Sequence, residues 1–359
     1  MAKKETGILL KRQQKLALKL LLPTFIILAL VAIYPLADVF ITSFTNREFA
    51  GGDENKTEFI GFDNYISLLA FTFVELPPVL DENGNQTIDS KTGEPLYERA
   101  IRVLPRTPYR FKEMSQFDLF GKRYVVGARN PEFLNAIWNT LVFTVTSVFL
   151  ETMLGLFIAL VVNSNFKAKG ALRTTMLVPW AVITVVSARI WEWMLQPGNS
   201  GFFNMLLFRL GISNGQASFL TEPALQMPSM VMVDVWKTAP YMALLLLAGL
   251  QTIPRELYEA ADVDGASKPK QFFSITLPLL KPALAVALIF RTLDALRVFD
   301  VFQVLLGSKM YSMASYNYFQ LIQNRQMGLA SAIGVIIFLF ISIFAIFYMR
   351  SMGVEKHEV

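Results

Sequence analysis

Six long runs of apolar residues recur along this chain, and they limit its surroundings more than any other feature. A helix needs about 20 mostly apolar residues to cross the hydrocarbon core of a bilayer. The runs Leu16–Phe44, Asn135–Val162, Leu172–Leu195, Leu225–Thr252, Leu277–Leu306 and Leu329–Arg350 all reach that length. Composition agrees, since 53% of the 359 residues are hydrophobic and only 17% are charged. That is too apolar for an ordinary soluble domain of this size. An all-α membrane protein with six transmembrane helices is expected.

The connections set the orientation. Lys3, Lys4, Lys11, Arg12, Lys15 and Lys19 lead into the first run like the start of a signal peptide. The run is longer than the apolar region of such a peptide, and Tyr34 and Leu36 crowd the one cleavage position near Ala37. A retained first helix with a cytoplasmic N-terminus is therefore expected. Lys167, Lys169 and Arg173 follow the second run, Arg255, Lys268, Lys270 and Lys281 the fourth, and Arg350 and Lys356 the sixth. All fall on the side where the chain starts, as the positive-inside rule requires. The opposite connections Gln196–Pro223 and Gly307–Gly328 carry only Arg209, Lys309 and Arg325. The net charge of +5 thus reflects topology rather than nucleic-acid binding. With no cysteine, disulfides and thiolate metal sites are excluded, and the single histidine, His357, lies in the polar tail.

These features divide the chain into four parts. Residues 1–44 form a cytoplasmic segment and the first helix, and 45–131 an extracytoplasmic loop. Residues 132–350 form the transmembrane core with a cytoplasmic loop at 253–278, and 351–359 a cytoplasmic tail. Within the outer loop, Asn83-Gly84 suits a type I′ hairpin, and Gly121-Lys122 between Phe117–Phe120 and Arg123–Val126 suits a type II′ hairpin. A small β-containing insert fits this stretch, and so does a long irregular loop.

The loop between the fourth and fifth runs reads Pro254-Arg-Glu-Leu-Tyr-Glu-Ala-Ala-Asp-Val-Asp-Gly-Ala-Ser-Lys-Pro-Lys-Gln-Phe-Phe-Ser-Ile-Thr-Leu-Pro278. Pro254 suits the first position of a helix. Glu256 and Glu259 sit in its early turns, where the helix dipole favours anions. Gly265 stands where a left-handed residue would stop it. Pro269 can open a second short helix, and Pro278 begins the next span. The small residues Ala260, Ala261, Gly265 and Ala266 allow close approach of another surface. A docking element and an ordinary polar loop both fit these residues.

Glu259-Ala260-Ala261, three residues, Gly265, nine residues, then Ile275-x-Leu277-Pro278 resembles the EAA loop of ABC importer permeases. The resemblance runs from about Phe59 to the end of the sixth run. Phe59-Ile-Gly-Phe-Asp-Asn-Tyr65 and Asn130-Pro-Glu-Phe-Leu-Asn-Ala-Ile-Trp-Asn-Thr140 look like the two halves of the first outer loop in sugar permeases. Those halves are nearly contiguous in most relatives, whereas here 70–129 intervenes. Trp236-Lys-Thr-Ala-Pro-Tyr-Met242 and Gly249-Leu-Gln-Thr-Ile-Pro254 look like the maltose/trehalose-type, MalF-like subunit. The resemblance implies a type I ABC importer permease fold in a bacterial cell membrane. It also implies a second homologous permease in a heterodimer, two ATP-binding cassette ATPase subunits, and an extracytoplasmic binding protein delivering a di- or oligosaccharide. Glu259, Ala260, Ala261 and Gly265 would couple to the ATPase.

The only Gly-Lys pair is Gly121-Lys122, and position 116 is Gln, so no phosphate-cradling P-loop is visible. No metal cluster, nucleophile triad or cofactor motif is visible either, so a transport subunit rather than an enzyme is expected. The fifth run carries Arg291, Asp294, Arg297 and Asp300 at spacings of three. Facing lipid, each charge costs about 2.5–3.5 kcal/mol, so the row should face the bundle interior. It would either lock helix packing through Arg–Asp pairs or line a cavity that hydrogen-bonds sugar hydroxyls. The resemblance places sugar-contacting residues near Asp294 and Arg297, with Asp234, Trp236 and Lys237 as the facing wall. Intramembrane charges also suit an ion-driven transporter, but that reading predicts paired inverted repeats, which the sequence does not display, and leaves the cytoplasmic loop unexplained.

Overall fold

The computed structural model describes residues 2–49, 57–81, 84–88, 93–164, 167 and 169–351. Asn83, Lys356 and His357 lie outside the described residues. The chain forms two compact units, one from Met1–Ile66 and Gln320–Val335, the other from Ser67–Phe319 and Ile336–Val359.

In the first unit, α1 (Ala2–Leu28), a π-helical stretch (Ala29–Ile33) and α2 (Tyr34–Thr42) form a helical rod. Its apolar residues from Leu16 to Ile41 are largely exposed within this chain, as a lipid- or partner-facing helix requires. The turn after it explains the sequence around Phe59–Tyr65. The Asn64 side-chain amide donates to the carbonyls of Ser43 (2.8 Å) and Thr45 (2.9 Å), and the hydroxyls of Tyr65 and Ser43 meet at 2.7 Å. Phe44 packs among Phe59, Phe62 and Tyr65. In the same unit the Gly328 amide donates to the Arg47 carbonyl at 2.8 Å, joining this turn to the start of α16 (Met327–Ser351).

The second unit opens with an antiparallel three-stranded sheet in the order β1 (Phe71–Glu75), β3 (Lys122–Ala128), β2 (Lys112–Leu119). Its inner face packs Val74 and Val125 against Leu76, Ala100 and Leu104. The insert is therefore folded, not irregular. The hairpin differs from expectation. Its two-residue turn is Phe120-Gly121, at φ 50° and 77°, and Lys122 belongs to β3. Two positive φ values make this a type I′ turn, whose twist matches that of the strands, rather than a type II′ turn on Gly121-Lys122.

Immediately after β3, the Asn130 side chain accepts from the Phe133 amide (3.0 Å) and Pro131 takes the first turn, so α5 (Pro131–Asn163) starts sharply. Asn139 donates to the Tyr311 carbonyl and Thr140 accepts from the Met313 amide, fixing α15 (Met313–Tyr318) on the same end. The core of the unit is α5 packed on α10 (Pro223–Gln251) and α13 (Leu277–Ala295).

Among the described residues five helices are long and apolar enough to cross a membrane, namely Gln13–Thr42, Pro131–Asn163, Pro223–Gln251, Lys268–Leu305 and Met327–Arg350. A sixth crossing exists only if Lys169–Ala181 and Thr184–Met194 are taken together, and these meet at 89°. The run Leu172–Leu195 is therefore not a straight helix. It divides into α6 (Lys169–Thr175), α7 (Val178–Ala181) and α8 (Thr184–Met194), with Val182 and Ile183 extended between the last two. The fifth run also departs from expectation at both ends. Pro278 does not begin the span, because α12 (Lys268–Gln271) continues through a π-helical stretch into α13. Helix α13 then stops at Ala295, and α14 (Asp300–Leu305) starts after a break, so the charged row does not share one helix.

Candidate functional site

Two constellations in the second unit carry chemistry. The first is the turn at the end of α11 (Glu256–Val263). The Gly265 amide donates to the Asp262 carbonyl (3.1 Å) and the Ala266 amide to the Ala261 carbonyl (2.9 Å), the paired bonds of a Schellman cap. Gly265 has φ +73°, with nothing within 4 Å of where a Cβ would stand, so conformation and not space demands glycine there. The Asp262 carboxylate accepts from Lys268 Nζ (2.7 and 3.0 Å) and from Gln271 Nε2 (2.5 Å), and Gln271 also donates to the Ala266 carbonyl (2.9 Å). These bonds hold the Asp262 carboxyl below the usual carboxylate range. Tyr258 and Thr276 hydroxyls meet at 2.9 Å. The result is a stiff helix-turn-helix. Glu259, Ala260 and Gly265 stand exposed on it, Ala261 is half-buried, and Val263 is 88% exposed.

The second constellation lies within the long apolar helices. Arg291 is fourteen residues beyond Leu277, about 21 Å along α13. Its guanidinium is almost fully buried and meets three carboxylates. Nε pairs with Glu151, Nη2 with Glu151 Oε1 (2.9 Å) and with Asp234, and Nη1 with Asp294 Oδ2 (3.1 Å). Glu151 comes from α5, Asp234 from α10 and Arg291 from α13, so one ionic knot ties the three core helices. Glu151 is fully buried, while the Asp294 side chain is 66% exposed. Arg297, 63% exposed, reaches Asp294 at 3.7 Å.

Helix geometry separates the other expected residues. Asp234, Lys237 and Thr238, at spacings of three and four, share the buried face of α10. Trp236 lies two residues from Asp234, about 200° around the helix, and is 41% exposed. Its ring meets Trp191 of α8 edge-on at 5.5 Å. The Lys237 ammonium donates to the carbonyls of Trp180 (3.3 Å) and Val182 (2.5 Å). The structure thus groups Asp234 and Arg291 in a buried network with Glu151, and leaves Trp236, Asp294 and Arg297 presented outward. Glu151 escaped the sequence reading. Its signal was a lone carboxylate in the apolar run Asn135–Val162, and intramembrane ionisable residues mark partners of this kind.

The chain matches the family described as binding-protein-dependent transport system inner membrane component over residues 151–352. It is 47% identical over 232 residues to the trehalose/maltose transport system permease protein MalF of Thermococcus litoralis, covering 63% of this chain and 76% of that protein. It is 32% identical over 327 residues to the sulfoquinovosyl glycerol transport system permease protein SmoG of Agrobacterium fabrum, covering 90% and 85%. A solved bacterial alginate ABC transporter, in complex with an alginate pentasaccharide-bound periplasmic protein, contains a chain that shares the fold at a TM-score of 0.68. That chain is 21% identical, and the likeness covers 97% of this chain and 98% of that one. The mostly helical architecture with its long apolar helices and the family match agree: this chain belongs to the binding-protein-dependent transport system inner membrane components, the membrane-embedded permeases of ABC importers.

Proposed function

We propose that this permease imports a di- or oligosaccharide as the larger half of a heterodimer with a smaller homologous permease. Two ATP-binding cassette subunits drive it, and an extracytoplasmic binding protein delivers the sugar. The names of its relatives, permeases for trehalose/maltose and sulfoquinovosyl glycerol, support the substrate class. The observation that carries the reading is the exposed set of Trp236 on α10, Asp294 on α13 and Arg297 just beyond the end of α13. Charges there are costly against lipid, so this surface faces a wet cavity shared with the partner permease. The indole covers a sugar-ring face while the carboxylate and guanidinium bind hydroxyls, the mixture expected of a small-ligand site. Asp234 and Arg291, with Glu151, hold the wall from behind.

In this reading the bent pair α6–α8 counts as one crossing. Six spans then put both termini and the EAA turn in the cytoplasm and the β-sheet insert outside. A protease site placed beside Gly84 should be cut from the outside of intact spheroplasts. Cutting only from within would overturn the orientation. The α11 turn seats in a cleft of the ATPase, with Glu259 making polar contacts and Ala260 and Ala261 packing closely. Closure of the ATPases on ATP moves this turn, and the transmembrane cavity changes the side to which it opens.

The test is uptake by Asp294→Asn and Trp236→Ala in complexes that assemble and hydrolyse ATP on stimulation by the binding protein. Asp294→Asn trades charge-assisted hydrogen bonds for weaker neutral ones, and Trp236→Ala removes the ring contact, so uptake at low sugar should fall about tenfold in each. Normal uptake by both variants would reject the cavity.

A further inference from the structure

The break in the third crossing exposes a specific problem. Helix α7 ends at Ala181, Val182 and Ile183 are extended, and α8 leaves at 89°. The last carbonyls of a helix have no partner within it, and at membrane depth no bulk water replaces one. Two of the carbonyls at this elbow, those of Trp180 and Val182, receive the Lys237 ammonium from α10. Lys237 is buried, and among the described residues no carboxylate forms a salt bridge with it, so these carbonyls are its bonding partners. One turn further along α10, Tyr241 stacks on Trp180 with ring centroids 5.4 Å apart and planes 7° from parallel. The elbow is therefore gripped twice from one helix, once by a charge and once by a ring.

The grip has a downstream consequence. Helix α8 buries Ser187, Ala188 and Trp191, and the Trp191 ring stacks on Phe203 (5.4 Å, 11°) and meets Trp236 edge-on (5.5 Å, 69°). The angle of the elbow decides where Trp191 stands, and Trp191 supports one side of the Trp236 ring. A lysine on the buried face of α10 thus acts, by way of α8, on the neighbouring tryptophan, about 100° around the helix from it. We propose that Lys237 is a positioning residue for transport, a latch that fixes the elbow of the third crossing and through α8 sets the Trp236 ring. It does not touch the solute. The transport consequence rests on the proposed cavity role of Trp236, whereas the latch itself does not.

The test uses the whole complex, with its ATPases and partner permease, in liposomes. The chain contains no cysteine, so single cysteines at Thr174 and Ile190 carry spin labels without background from it, in a partner set freed of accessible thiols. In Lys237→Met the distance distribution across the elbow should shift or broaden, and Lys237→Arg, which keeps a charged donor, should restore it. Tyr241→Leu should broaden it less. For uptake, Lys237→Met should raise the KM about tenfold or more, the order expected for losing a hydrogen bond from a charged group. A purely structural role would instead lower the amount of complex and the maximal rate at constant KM. If Lys237→Met does not assemble, Lys237→Gln, which retains a donor, takes its place, with intermediate broadening expected. An unchanged distance distribution in the assembled variant overturns the latch. A shifted distribution with unchanged KM keeps the latch and rejects its link to Trp236.

Discussion

Arg291→Leu should all but abolish the assembled permease. The guanidinium satisfies two buried carboxylates at once, Glu151 on α5 and Asp234 on α10, and reaches Asp294 besides. Removing one partner of a buried pair costs about 3–5 kcal/mol, because the other charge is left uncompensated. Here two carboxylates are stranded at membrane depth, where a lone charge is itself expensive. Native stabilities amount to only about 5–15 kcal/mol, so such a loss removes much of the margin. The expected result is a large drop in complex recovered from membranes and in its thermal midpoint in detergent. Glu151→Gln should be far milder, because the amide oxygen still accepts from Arg291 and the remaining carboxylate stays paired. Replacing Glu151, Asp234 and Arg291 together by apolar residues of similar volume should recover part of the loss, since a whole buried ionic network is often replaceable. Wild-type recovery of Arg291→Leu would show that the knot does not hold the helices.

Gly265→Val should uncouple the ATPase from the membrane subunit while leaving the apolar helices in place. Gly265 adopts φ +73° in the cap that ends α11, and open space surrounds it. The penalty is thus conformational, about 1–3 kcal/mol for a non-glycine residue held in a sparsely populated region, and greatest for a β-branched side chain. The valine variant relieves that strain by unwinding the cap, which displaces Glu259–Ala266 from the surface proposed to enter the ATPase. Less ATPase should co-purify with the permease, and uptake should fall about tenfold or more, in line with that penalty. Gly265→Asn separates conformation from packing, because asparagine visits the left-handed region readily. It should retain most coupling, with alanine between the two. Full coupling in the valine variant would remove Glu259–Ala266 from the docking surface.

The sequence carried the coarse architecture because membrane helices satisfy their own backbone. Each is therefore legible as an apolar run, independent of what it packs against. The same holds for local chemistry at Gly265, which stops α11 where the spacing demands, whereas α5 starts at Asn130-Pro131, ahead of the run Asn135–Val162. The hairpin was placed but its turn was shifted by one residue, since Phe120 adopts a positive φ that no composition rule assigns to phenylalanine. Long-range matters were hidden. Spacings of three suggested one row of charges on the fifth run; Arg291, Asp294 and Arg297 do pair in succession, but the break after Ala295 puts Asp300 on α14, and of the four only Arg291 is buried. Which carboxylate meets Arg291 depends on how α5 and α10 lie against α13, and Glu151 is 140 residues away in sequence. The elbow at Val182–Ile183 has no glycine, and the groups that contact it, the Lys237 ammonium and the Tyr241 ring, come from α10, so the run Leu172–Leu195 does not reveal it. Periodicity and spacing alone marked the five long apolar helices and the glycine that ends α11. Only the tertiary structure decided which charges are buried, which are presented, and which hold the backbone, because those are properties of neighbouring helices and not of any one segment.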